Sequence, residues 1–73
     1  MIHLRLIVPR AARAAVVEFL RSDPRVTHVV VLDGAAVDPE GDLVLVDVAR
    51  EAVSDVLDRL RELGLDDRGE IAL

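Results

Sequence analysis

The chain has 73 residues, enough for one domain, and a formal charge of −5 from fourteen acidic and nine basic side chains. It contains no cysteine, which excludes disulfides and thiolate zinc sites and fits a reducing compartment. The acidic balance opposes binding to a phosphate backbone, so nucleic acid is not an expected partner.

Apolar residues make up 52% of the chain and mean hydropathy is +0.36, alongside 32% charged residues. A chain this short buries only about 60% of its unfolded surface. Small domains need a staple, and without disulfides the one still open is oligomerisation. No apolar run approaches the roughly 20 residues that span a bilayer. Arg5 and Arg10 bracket too short an apolar run for a secretory leader.

Ile2–Val8, IHLRLIV, alternates with period two and predicts a strand. Pro9 follows and suits the first turn of a helix. From about Arg10 to Arg21, Ala12, Ala15, Val16, Phe19 and Leu20 recur at spacings of three and four and form one apolar stripe. Ser22-Asp23-Pro24 breaks that helix. Val26–Leu32 predicts a second strand, Asp33–Gly41 a turn-rich loop and Asp42–Val48 a third strand.

A second helix is expected over Ala49–Leu63, its stripe formed by Ala49, Val53, Val56, Leu57 and Leu60. Asp55 and Arg59 are placed as an i,i+4 pair with the acid first. Gly64 suits a left-handed C′ position, with Leu65 beyond it to touch Leu60. A last strand is expected over roughly Gly69–Leu73. The order is β-α-β-β-α-β, a ferredoxin-like α+β sandwich. Right-handed crossovers place both helices on one side of a four-stranded antiparallel sheet of order 4-1-3-2.

Alternation then assigns faces. Ile2, Leu4, Leu6 and Val8, then Val44, Val46 and Val48, point to the helices, because the other choice buries Asp47. Val29 and Val31 point inward, with Val26 beneath the preceding loop, and so do Ile71 and Leu73. Both registers of the second strand are apolar, and this assignment sends Val30 and Leu32 outward. The open side therefore carries Ile7, Val30, Leu32, Leu43 and Leu45, with His3, Arg5, His28 and Asp47 around them and Glu70 and Ala72 on the edge strand. An exposed apolar patch with a polar rim marks an interaction site, most simply with a second copy of the chain.

Chemistry is sparse. His3 and His28 lie two strands apart, roughly 10 Å, too far to share one metal ion within a chain. A metal between two copies, with Asp47 as a further ligand, is a remote possibility, and no cofactor is expected. Asp33, Asp38, Glu40 and Asp42 read as a solvated acidic loop without calcium-loop spacing. Ser54 has no His near it in sequence to act as base. Arg5 faces an anion on the open sheet or pairs with Asp47. The only aromatic, Phe19, sits on a helix, against a base-stacking RNA module. The missing Cys and Asn oppose a metal chaperone and an acylphosphatase. An enzyme is therefore disfavoured. A regulatory small-molecule-binding domain of the ACT type stays as the alternative, its ligand near Arg10 in the VPRAA turn or near Arg5 and Asp47 at a dimer seam. The turn lacks the Gly such domains often carry.

HLRLIVP, VTHVVVLDGAA, GDLVLVDVAREAVSDVLDRLRELGL and GEI together resemble the N-terminal segment of a family of bacterial integral membrane proteins known as domain of unknown function 389. The resemblance covers nearly the whole chain. Its most specific parts are the GAA…P.GD segment and DVAREA. It implies that the chain is part of a longer protein, with a multi-helix membrane region after Leu73. It further implies a place on the cytoplasmic side of the membrane, where the domain helps subunits associate or senses a ligand. It supplies no catalytic residues.

Overall fold

The computed structural model describes residues 1–65 and 70–73. Four strands, β1 (Ile2–Val8), β2 (Val26–Val37), β3 (Glu40–Val48) and β4 (Ile71–Ala72), alternate with two helices, α1 (Arg13–Ser22) and α2 (Val53–Glu62). The sheet is antiparallel in order β2-β3-β1-β4, the expected 4-1-3-2 taken from its other edge. Gly69, in the expected last strand, lies outside the described residues, and Leu73 is 79% exposed rather than turned inward.

Each helix opens with a tight 3-10 turn, Arg10–Ala12 or Arg50–Ala52, behind an extended residue, Pro9 or Ala49. The two halves repeat at an offset of 40 residues: strand 2–8 with 42–48, turn 10–12 with 50–52, helix 13–22 with 53–62. Core positions follow the offset. Leu4, Leu6, Val8, Val16 and Leu20 are buried, and so are Val44, Val46, Val48, Val56 and Leu60. The core therefore has two matched contributions, and each βα unit supplies a strand face and a helix stripe to it. Ala52 is buried where the second stripe was not expected to extend, whereas Ala15 is exposed. Ala15 lies at the margin of the stripe, and Val16 and Leu20 occupy its centre.

The end of α2 satisfies its last carbonyls in a full Schellman motif. Leu65 N–H donates to Leu60 C=O at 3.0 Å and Gly64 N–H to Arg61 C=O at 3.0 Å, with Gly64 at φ 101°. Leu65 is buried against the core. The expected Asp55–Arg59 pair is not made. Arg59 turns to Glu62 at 3.0 Å, while Asp55 meets Arg25 at 3.2 Å. Arg25 also binds Asp23, and those hydrogen bonds hold the Asp23 carboxyl below its usual value. This cluster ties the α1–β2 connection to α2.

The expected loop Asp33–Gly41 is mostly strand, because β2 and β3 run on to a turn at Asp38-Pro39. Pairing resumes at Ala36↔Gly41 after Asp33, Gly34 and Ala35 bulge opposite Asp42. Gly34 there has φ 62° and donates its N–H to Asp42 Oδ1 at 2.7 Å. Asp42 is not part of a solvated loop. It is fully buried, at the inward position that continues Val44, Val46 and Val48. Its Oδ2 lies 3.6 Å from Arg13, which also binds Asp33 at 2.6 Å. The carboxylate is held there by the backbone N–H on Oδ1 and by the charge of the Arg13 guanidinium near Oδ2, an oxygen without a hydrogen bond among the described residues.

Four variants have expected outcomes in urea denaturation. Gly64→Ala forces a side chain into left-handed backbone and costs about 1–2 kcal/mol. Gly41→Ala costs more, because a Cβ there falls 2.5 Å from the Val8 carbonyl oxygen. Asp42→Ala strands the Gly34 N–H and destabilises by about 1–3 kcal/mol. Asp33→Ala, at an exposed ion pair, costs under about 1 kcal/mol.

Candidate functional site

Both helices cover one face of the sheet, so the site to consider is the other face. Register arranges its side chains in rows across the strands. Leu32, Leu43 and Ile7 form the first row, and Val30, Leu45, Arg5 and Ala72 the second. Thr27, Asp47 and His3 form the third. The aliphatics gather at one end and the histidines and Asp47 at the other, so the polar groups do not form a closed rim. Val30, Leu32 and Leu45 are 46%, 42% and 38% exposed, and Ile7 and Leu43 are half-buried. The expected inward residues Val29 and Val31 pack against the core.

A bulge makes this division possible. Between Thr27↔Asp47 and Val30↔Leu45, both His28 and Val29 stand opposite Val46. His28 absorbs the extra residue in left-handed backbone, at φ 55°. Strict alternation cannot place both Val26 and Val29 inward; the bulge does, and it leaves Thr27 and His28 together on the open side. No glycine marks the position, so the sequence carried little sign of it.

His28 Nδ1 lies 2.9 Å from Asp47 Oδ2, and His3 Nδ1 contacts Asp47 Oδ1. The two imidazoles sit on strands flanking β3, as expected, and the carboxylate between them takes one on each oxygen. Arg5 does not pair with Asp47, because β1 register sets His3 opposite Asp47 and Arg5 opposite Leu45. The His3 hydrogen bond is the largest cause holding the Asp47 carboxyl below its usual value, with His28 adding to it against partial desolvation. Among the described residues no group of three or more His, Asp or Glu side chains is arranged to hold a metal ion. Each Nδ1 is instead engaged with a carboxylate oxygen.

The three residues considered for a ligand do not share one hollow. Arg5 and Asp47 line a depression of about 410 Å³ on the open face, with His3, Leu45, Ala72 and Leu73. Arg10 lines a separate one of about 260 Å³, with Pro9, Gly34, Glu40 and Gly41, and reaches Asp33 at 3.4 Å. Ser54 is exposed on α2.

No family model, curated protein or solved structure matches the chain. Among the described residues no helix is long and apolar enough to cross a membrane.

The Asp47 shift has a definite sign. Its folded value lies below its unfolded one, so its contribution to stability is present above the unfolded value. That contribution is lost as pH falls through the folded value. In NMR titrations His3→Ala is expected to raise the Asp47 midpoint, by more than His28→Ala does. An unchanged midpoint in both variants contradicts the shared-carboxylate geometry.

Proposed function

We propose that this chain is a non-enzymatic interaction domain that self-associates through the open face of its sheet. The observation that carries the reading is the aliphatic block of Val30, Leu32, Leu43, Leu45 and Ile7 on a face no helix covers. Fully burying one such side chain is worth about 1.5–3 kcal/mol. The part still in water across five of them is large beside the 5–15 kcal/mol or so that holds a domain together.

A second copy is the occupant that fits best. The same face bears a cation, Arg5, on β1 and an anion, Asp47, on β3 beside the aliphatics, with Glu70 toward the β4 edge, so its central positions are complementary to those of a second copy. Self-complementarity is what a twofold interface requires, since each copy presents the same patch. The chain has no cysteine to staple a small core, and a copy supplies the missing burial. A non-enzymatic role is favoured by the site's chemistry: Asp47 engages both imidazole Nδ1 atoms, so the Thr27 hydroxyl, 3.2 Å from His28 Nδ1, meets a nitrogen already held by a carboxylate.

The larger setting of this proposal is a domain on the cytoplasmic side of a membrane protein, joining its subunits. It rests on the resemblance of HLRLIVP, the GAA…P.GD segment and DVAREA to the membrane-protein family.

Multi-angle light scattering tests the proposal. The wild-type chain is expected to run as a dimer or larger at micromolar concentration. Leu45→Arg and Val30→Arg are expected to run as monomers with unchanged helical circular dichroism. Association that survives both variants removes the open face as the interface. A thermal-shift screen of amino acids, nucleotides and metal ions is expected to be flat; a rise of several degrees with one compound favours the ligand-binding alternative.

A further inference from the structure

The geometry points to a reciprocal ion pair across the self-associated face, in which Arg5 of each copy engages Asp47 of the other. This inference rests on the reading of the open face as a contact between copies and adds what fixes its orientation.

Arg5 is exposed on the second row of the face, and among the described residues its side chain has no hydrogen bond or ion pair. Of the chain's other described arginines, Arg10, Arg13, Arg25, Arg59 and Arg61 each reach a carboxylate of their own chain, while Arg21 and Arg50, which lie on the helical side of the fold, do not; Arg5 is the unpaired one on the sheet face. Arg5 stands instead beside Leu45 and Ala72. Its own Asp47 is taken by His3 and His28, one on each oxygen. Those bonds fix the carboxylate but do not saturate it, because each oxygen has two lone pairs.

A twofold axis running between β1 and β3, the two central strands, sets each β1 residue over the partner's β3 residue that neighbours it in its own sheet. Ile7 then meets the partner's Leu43, and Arg5 lies over the partner's Leu45. The partner's Asp47 is two residues along that strand, roughly 7 Å away, with the sheets about 10 Å apart. An arginine spans such a gap by laying its methylene stem on the leucine and carrying the guanidinium to the carboxylate. The twofold makes the pair twice. The pairing also disfavours wrong partners, because another apolar sheet without the matched charges leaves Arg5 and Asp47 desolvated and unpaired.

Charge reversal tests this. Arg5→Glu leaves two anions at the paired positions, and Asp47→Arg leaves two cations there. Each is expected to weaken self-association at least about tenfold by sedimentation, since identical faces then repel. An equimolar mixture of the two is expected to recover association as a heterodimer, because both cross pairs are restored. If the wild type associates and either reversal leaves its Kd unchanged, the pairing is wrong while the open-face reading stands. A mixture that stays monomeric overturns the pairing as well. A wild type that is monomeric at high micromolar concentration removes both. If Asp47→Arg does not fold, Arg5→Glu carries the test with Arg5→Lys as control, the lysine variant retaining association.

Discussion

The structure depends on one asymmetry: a four-stranded sheet whose two crossovers have the same hand, so that both helices cover the same face. That covered face collects every other residue of β1 and β3, and those side chains meet the stripes of α1 and α2. The opposite face is left with what the alternation sends there. In most small sheets that remainder is polar. Here Leu43, Leu45, Val30 and Leu32 occupy it, and the sheet has two apolar sides with cover for one.

Local irregularities keep this arrangement in register. A strand apolar on both sides is prone to slip, because a shift by one residue exchanges one oily face for another. Two devices hold β2 against β3. The bulge at His28 lets Val26 and Val29 both enter the core, and Asp42 receives the Gly34 N–H where the second bulge begins. The bond from Gly34 N–H to Asp42 Oδ1 can form in only one register, so it contributes specificity that valines alone do not. The first bulge also joins structure to surface chemistry, since it brings His28 to the carboxylate that His3 meets from the other side. The histidine row is thus a consequence of how the second strand is locked.

Much of this was legible in the residues. Period-two patterning in IHLRLIV and DLVLVDV located β1 and β3 and their faces. Gly64 followed by Leu65 foretold the Schellman ending, because few other sequences satisfy a positive φ and a buried C″ together. What was not legible depends on contacts distant in sequence. DGAAVDPEG has turn composition, yet most of it is strand, because pairing across the hairpin outweighs local preference. Asp42 looked like one more loop acid until Arg13, on α1, was placed beside it. Asp55 matched Arg59 by spacing but found Arg25 across the fold, and Asp47 was given to Arg5 when the β1 register gives it to His3. Charged partners three or four residues apart are easy to name; those brought together by topology are not.

The central claim is that the open face is buried in solution against an identical face. Isotope-filtered NOE spectroscopy on a mixture of labelled and unlabelled chains tests it most directly. The account predicts intermolecular NOEs between methyl groups of Ile7, Val30, Leu43 and Leu45, and none from the helix surfaces. A spectrum without intermolecular NOEs, from a species diffusing as an 8.0 kDa particle, contradicts it.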